Sequence, residues 1–204
     1  MEMANRELQE RVRRVFDPLV LLMLRLRVAP AALTVAGLLL STASAALIWS
    51  GSNRFAGVLL LLGGICDTLD GAIARATKSA TKFGAFIDST IDRYSEVVVF
   101  LALAWRFRGG VTLVGVVLAI TGSLLVSYTR ARAEGLGEEC KIGLLERPER
   151  LVLLIIGLLG GWQATAVTVW IIAVFSHVTA VQRIIHVARR TRGVPLRYEG
   201  DDRK

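Results

Sequence analysis

Four aspartates fall within residues 67–92, which read DTLDGAIARATKSATKFGAFIDSTID. Asp67 and Asp70 stand three apart, and Asp88 and Asp92 stand four apart. On helices each spacing puts its pair on one face. The flanking residues are apolar enough to cross a bilayer, where a carboxylate is costly and needs a partner. Two helices joined by a short loop lie antiparallel, so the two pairs can converge. Converging carboxylates are hard oxygen donors that suit Mg²⁺ or Mn²⁺ and suit zinc poorly. Two such ions about 3.5–4 Å apart, sharing carboxylates, would neutralise the cluster. Gly71, Ala74 and Arg75 lie between the pairs. The small residues clear a path to the backbone, and the guanidinium suits phosphate. Metal, small residues and arginine together imply a pyrophosphate site.

The elements that must hold these residues are membrane helices. The 204 residues are 53% hydrophobic, with mean hydropathy +0.54. Apolar runs of near-spanning length recur. The pattern predicts six spans, over about 30–49, 54–76, 83–105, 111–133, a fifth from near Pro148 to Gly160–Gly161, and 164–187. Pro30 opens the first span, where its missing N–H costs nothing. Spacings such as Ala32/Ala36 and Ser41/Ala45 read as packing seams. The fold class is therefore all-α and polytopic, with a polar cavity at one end of the bundle. Leu8, Val12, Val15, Phe16 and Leu19 recur at helical spacing beside Arg6, Arg13 and Arg14, which predicts an amphipathic interfacial helix. A signal peptide fits less well, because Arg25 and Arg27 cut the apolar run and no small-residue cleavage site follows. The expected organisation is a cytoplasmic juxtamembrane segment over 1–29, a six-helix domain over 30–190 and a polar tail over 191–204. No soluble domain is expected on either side.

Net charge +8 and pI near 10.3 raise the question of nucleic acid. The basic residues sit in the gaps between apolar runs and at both termini, without interleaved aromatics. That distribution excludes a nucleic-acid partner and fits an anionic lipid surface. With both termini, the 2/3 loop and the 4/5 loop in the cytoplasm, only Arg54, Arg106 and Arg108 fall outside. The positive-inside rule favours that orientation, and the aspartates then open to the cytoplasm. Two cysteines, Cys66 and Cys140, imply no disulfide framework. His177 and His186 are lone residues on the last span and read as interfacial.

The pattern Asp67-x2-Asp70-Gly71-x2-Ala74-Arg75-x8-Gly84-x3-Asp88-x3-Asp92 resembles the signature of the CDP-alcohol phosphotransferase family at every defined position. The resemblance implies six transmembrane helices around a cytoplasm-facing cavity, a plasma-membrane location and a homodimer. It implies that Asp67, Asp70 and Asp88 hold metal and nucleotide. Asp92, which can also touch metal, would be the general base for the acceptor hydroxyl. Gly71, Ala74, Arg75 and Gly84, with Thr81 beside them, would line the CDP-diacylglycerol pocket. Pro30 and Thr34 resemble a short family pattern near the nucleotide.

The acceptor rests on a second basic cluster. SYTRARAE supplies Ser127, Arg130 and Arg132; ERPER supplies Arg147 and Arg150; Arg183 lies within the last span. Arginines gathered on a cavity suit an acceptor that carries a phosphate dianion, and they would be surplus for serine. These segments resemble the inositol-phosphate-using branch of the family, and DSTIDR resembles it more than the DPxADK pattern of the glycerol-phosphate-using branch. That resemblance makes inositol 1-phosphate the expected acceptor, held by Ser127, Arg130, Arg132, Arg150 and Arg183. Glycerol 3-phosphate or another polyol phosphate is the alternative acceptor. As plain topology anchors, the same arginines would bind nothing. A divalent-cation carrier also places carboxylates in membrane helices, but near the midplane and without an arginine beside them.

Overall fold

The computed structural model describes residues 17–193. Among them are seven α-helices: α1 over 17–25, α2 Pro30–Trp49, α3 Asn53–Ala76, α4 Lys82–Arg106, α5 Thr112–Glu134, α6 Arg147–Gly160 and α7 Trp162–Thr191. The helices from α2 to α7 fall on the six expected segments, with α7 running four residues further than expected. The amphipathic positions Leu8, Val12, Val15 and Phe16 lie outside the described residues, as does the tail from 194. α1 lays Val20, Met23 and Leu24 against Leu33, Leu69 and Ile73. Leu19, Leu21 and Leu22 stay exposed.

Local chemistry explains the boundaries. Pro30 and Pro148 sit in the first turns of α2 and α6, where no intrahelical donor is lost. Thr81 caps α4 by accepting a hydrogen bond from the Gly84 N–H at 2.9 Å. Gly161, at φ 100°, separates α6 from α7 in a backbone region that side chains disfavour.

In the bundle α2 packs on α3 and α4, α5 and α6 pack on α7, and α3 also meets α6. The core lies in the half away from the aspartates and includes Ile48, Leu60, Phe100, Leu103, Leu158 and Ile172. Helices approach closely where side chains are small. A Cβ on Gly37 would lie 3.4 Å from the Gly63 carbonyl, and one on Gly157 only 2.2 Å from Thr168 Oγ1. The seam on α2 runs through Leu33, Gly37, Ser41, Ser44 and Ala45. Ser41/Ala45 is thus a seam as expected, whereas Ala32 is exposed and lies one position off the buried face.

Four helices, α2, α3, α5 and α7, are long and apolar enough to cross a membrane. Of the remaining helices in the bundle, α4 and α6 miss for separate reasons. α4 carries Asp88, Asp92, Arg93 and Glu96 in its first half. α6 has 14 residues, about 21 Å at the helical rise, against a hydrocarbon core of about 30 Å. At the end away from the aspartates, Trp49 stacks on Trp105 with centroids 4.5 Å apart. Arg108 lies 3.9 Å over the Trp105 ring, and Arg106 lies 4.6 Å over Trp162.

Candidate functional site

Asp67 and Asp70 lie in the C-terminal half of α3, and Asp88 and Asp92 in the N-terminal half of α4. The antiparallel arrangement brings the pairs together as the spacing predicts. One carboxylate oxygen each from Asp67, Asp70 and Asp88 lie within 4.8 Å of one another. Asp70 is the deepest, at 4% exposure, and accepts a hydrogen bond from Thr34 Oγ1 at 2.7 Å. Asp88 Oδ1 is buried without a hydrogen-bond partner. A bare buried acceptor is costly, and three anionic oxygens this close repel one another. A divalent cation with oxygen ligands resolves both, so the donor set fits Mg²⁺ or Mn²⁺.

Asp92 belongs to the same cluster through a residue the sequence argument left without a role in it. Arg147, at the start of α6, donates to Asp67 Oδ2 at 2.8 Å, and its other terminal nitrogen lies 2.7 Å from Asp92 Oδ1. This cross-link spans 80 residues of sequence. The only signal available beforehand was the place of Arg147 in ERPER, on the aspartate side of the fifth span.

A cavity runs from Asp67, Asp92 and Arg147 inward past Ser41, Ser95 and Glu96. Asp92, Ser95 and Glu96 share one face of α4. At the cavity floor Glu96 receives a two-pronged bond from Arg150, with Nε at 2.7 Å and Nη2 at 3.0 Å. Glu96 is thus a further charged residue of the cavity that the motif does not include. Its spacing, one turn beyond Asp92, was the available signal.

The residues expected to line a CDP pocket border the aspartates. Gly71 and Ala74 are half-buried on α3, while Arg75 is exposed and its Nη1 lies 3.2 Å from where a Gly71 Cβ would be. Any side chain at 71 would crowd that guanidinium. Thr81 and Gly84 are exposed at the start of α4, with the threonine hydroxyl engaged as the cap.

The five expected acceptor residues divide into two groups. Ser127, Arg130 and Arg132 lie near the end of α5, partly or fully exposed, with Arg130 Nε 2.9 Å from Glu134 Oε1. Arg150 and Arg183 are each 1% exposed. Arg183 donates to the carbonyls of Ile142 at 2.7 Å and Val126 at 2.6 Å, and to Glu146 Oε1 at 2.7 Å. Arg150 lines the cavity, and Arg183 reaches the residue next to Ser127. His177 and His186 hydrogen-bond to backbone carbonyls, of Leu118 and Glu139. Cys66 and Cys140 are free.

Comparison with known proteins bears on the family and the fold. A family model described as CDP-alcohol phosphatidyltransferase matches residues 27–187. The chain is 37% identical over 187 residues to the archaetidylinositol phosphate synthase of Methanothermobacter thermautotrophicus, covering 89% of this chain and 92% of that protein. Its fold matches the crystal structure of Mycobacterium tuberculosis phosphatidylinositol phosphate synthase with CDP-DAG bound, with TM-score 0.77 and 33% identity over 86% of this chain and 94% of that one. The same enzyme in complex with manganese and citrate matches with TM-score 0.75 and 32% identity, covering 83% and 87%.

Proposed function

This chain belongs to the CDP-alcohol phosphatidyltransferase family, and we propose that it transfers the phosphatidyl group of CDP-diacylglycerol to inositol 1-phosphate. The products are a phosphatidylinositol phosphate and CMP. The observation that carries the reading is the Asp67–Asp70–Asp88 cluster with its bare Asp88 oxygen, in a chain similar to synthases of this kind. Divalent cations held there would neutralise the pyrophosphate and ease departure of CMP.

The protein's own groups do the rest. Asp67, Asp70 and Asp88 supply the oxygen ligands, and Thr34 fixes Asp70. Gly71 and Ala74 leave room for the nucleotide beside α3, Gly84 and Thr81 border it from α4, and Arg75 adds positive charge at its edge. Asp92, on the cavity side of the cluster, takes the proton from the attacking acceptor hydroxyl. Ser127, Arg130, Arg132, Arg150 and Arg183 form the acceptor-phosphate side; Arg150 and Arg183 serve it with guanidinium groups already held by Glu96 and Glu146. The lipid tails stay in the bilayer while the head groups meet in the cavity.

In this reading residues 30–190 are the catalytic domain. Helices α2 to α7 all cross the plasma membrane, α6 by local thinning of the bilayer, with α1 lying along the interface. The cavity and both termini are cytoplasmic, supported by the basic loops at that end. The family resemblance supports a homodimer. A cation carrier is disfavoured because Arg147 stands in the path that a cation would follow.

The test supplies purified protein in lipid with CDP-diacylglycerol, Mg²⁺ or Mn²⁺ and one acceptor at a time. CMP release with inositol 1-phosphate, and not with free inositol, glycerol 3-phosphate or serine, supports the proposal. Turnover with glycerol 3-phosphate alone would reject the acceptor and keep the reaction class.

A further inference from the structure

The base and the head of Arg147 are in different situations. Its backbone is pinned from both sides. The Leu145 N–H donates to Thr179 Oγ1 at 3.0 Å, Glu146 is held by Arg183 at 2.7 Å, and Arg150 is clamped to Glu96. The head reaches into the cavity, with the side chain about a quarter exposed at 27%. There it spans Asp67 and Asp92, and Arg150 and Glu96 lie one turn further along the cavity wall.

One positive charge on this cluster does part of what a cation would do, and it does so on a carboxylate that the cation needs. Arginine and metal therefore compete for Asp67. The arginine fork binds phosphate oxygens as well as carboxylates, so a guanidinium displaced from Asp67 has a second partner of the right kind once a pyrophosphate arrives.

We propose that Arg147 is an exchange residue of the phosphatidyl transfer. Without ligands it neutralises Asp67 and Asp92 and keeps the cluster assembled. On loading, its guanidinium passes from those carboxylates to the anionic oxygens of the nucleotide pyrophosphate, which frees Asp92 to accept a proton. This rests on the metal–pyrophosphate reading of the aspartates, but not on the identity of the acceptor.

The exchange makes opposite demands on two binding constants. A residue that only supports the fold would shift both the same way or neither. Full-length protein in detergent is titrated with Mn²⁺ alone, followed by electron paramagnetic resonance, and then with CDP at saturating Mn²⁺, followed by calorimetry. Arg147→Gln is expected to bind Mn²⁺ more tightly and CDP more weakly, each on the order of tenfold, within the range of about 5–150-fold common for coupled sites. An unchanged or weaker Mn²⁺ affinity overturns the proposal, as does an unchanged CDP affinity. Should Arg147→Gln not purify folded, Arg147→Lys keeps the charge but reaches only one carboxylate; it must then shift both constants in the same directions by less. If wild-type protein binds neither Mn²⁺ nor CDP, the metal–pyrophosphate reading itself falls, and that result is distinct from either variant's failure.

Discussion

Arg147 and Arg150 are three residues apart in the first turn of α6, yet they belong to different regions of the molecule. Arg150 is 1% exposed and gives three donors to Glu96 and the Leu145 carbonyl. With Arg183 and Glu146 it forms a saturated clamp that ties α4, α5, α6, α7 and the loop before α6 together. Arg147 enters a cluster that is not saturated: it pairs with two of the four carboxylates, Arg93 lies 3.9 Å from Asp92, and one oxygen of Asp88 has no partner. Groups that hold the bundle have their partners inside the protein. Groups that handle substrate keep capacity in reserve, at a cost in stability.

The largest test of this contrast is Asp92→Asn. Loss of a general base removes about 10²–10⁴-fold in rate, so CMP release should fall by that much while CDP binding with Mn²⁺ is largely kept. Turnover within tenfold of wild type would remove Asp92 from the reaction. Next comes the clamp. Breaking a buried ion pair from one side costs about 3–5 kcal/mol, so Arg150→Gln should lower thermal stability in detergent sharply. Replacing both members, Arg150→Met with Glu96→Leu, should recover most of that stability. If Arg150 also faces the acceptor, the paired variant still shows a raised KM for inositol 1-phosphate; a KM equal to wild type would make the clamp purely structural.

A smaller effect is expected in the apolar half. The Cβ of Gly157→Ala would lie 2.2 Å from Thr168 Oγ1, and overpacking costs about 1–3 kcal/mol. Unfolding should shift by that amount with the KM values unchanged. Smallest is Thr81→Ala, which removes a helix cap worth about 1 kcal/mol. A KM for CDP-diacylglycerol that rises more than fivefold would show that the hydroxyl also meets the nucleotide, whereas an unchanged KM would leave it a cap.

The sequence made the helices and the aspartates legible because both signals are local. Apolar runs closed by Pro30, Gly51, Gly161 and short polar loops give helix bounds to within a few residues. Aspartates three and four apart share a face whatever the tertiary packing. The interface position of Leu8 to Phe16 lies outside the described residues and stays an expectation. The charge pairings were illegible for a physical reason. Arg147 meets Asp67 across 80 residues, and Arg150 meets Glu96 across 54, and no periodicity encodes such distances. Read singly, Arg150 and Arg183 looked like free cations waiting for phosphate. In the fold each already has a carboxylate, so any acceptor phosphate meets the net field of a clamp and not two bare charges. Arg147, grouped by sequence with the arginines of the acceptor side, instead pairs with Asp67 and Asp92.

The central claim is that the cavity beside the aspartate cluster joins a CDP-activated lipid to a polyol bearing phosphate. It is tested most directly by competition in one vessel. Wild-type protein in lipid receives CDP-diacylglycerol, Mn²⁺ and equimolar inositol 1-phosphate, glycerol 3-phosphate, free inositol and serine, and the lipid products are identified by mass. The account predicts phosphatidylinositol phosphate as the dominant product, with none formed when the metal is chelated. A dominant product from free inositol or serine, or any product that forms without metal, would contradict it.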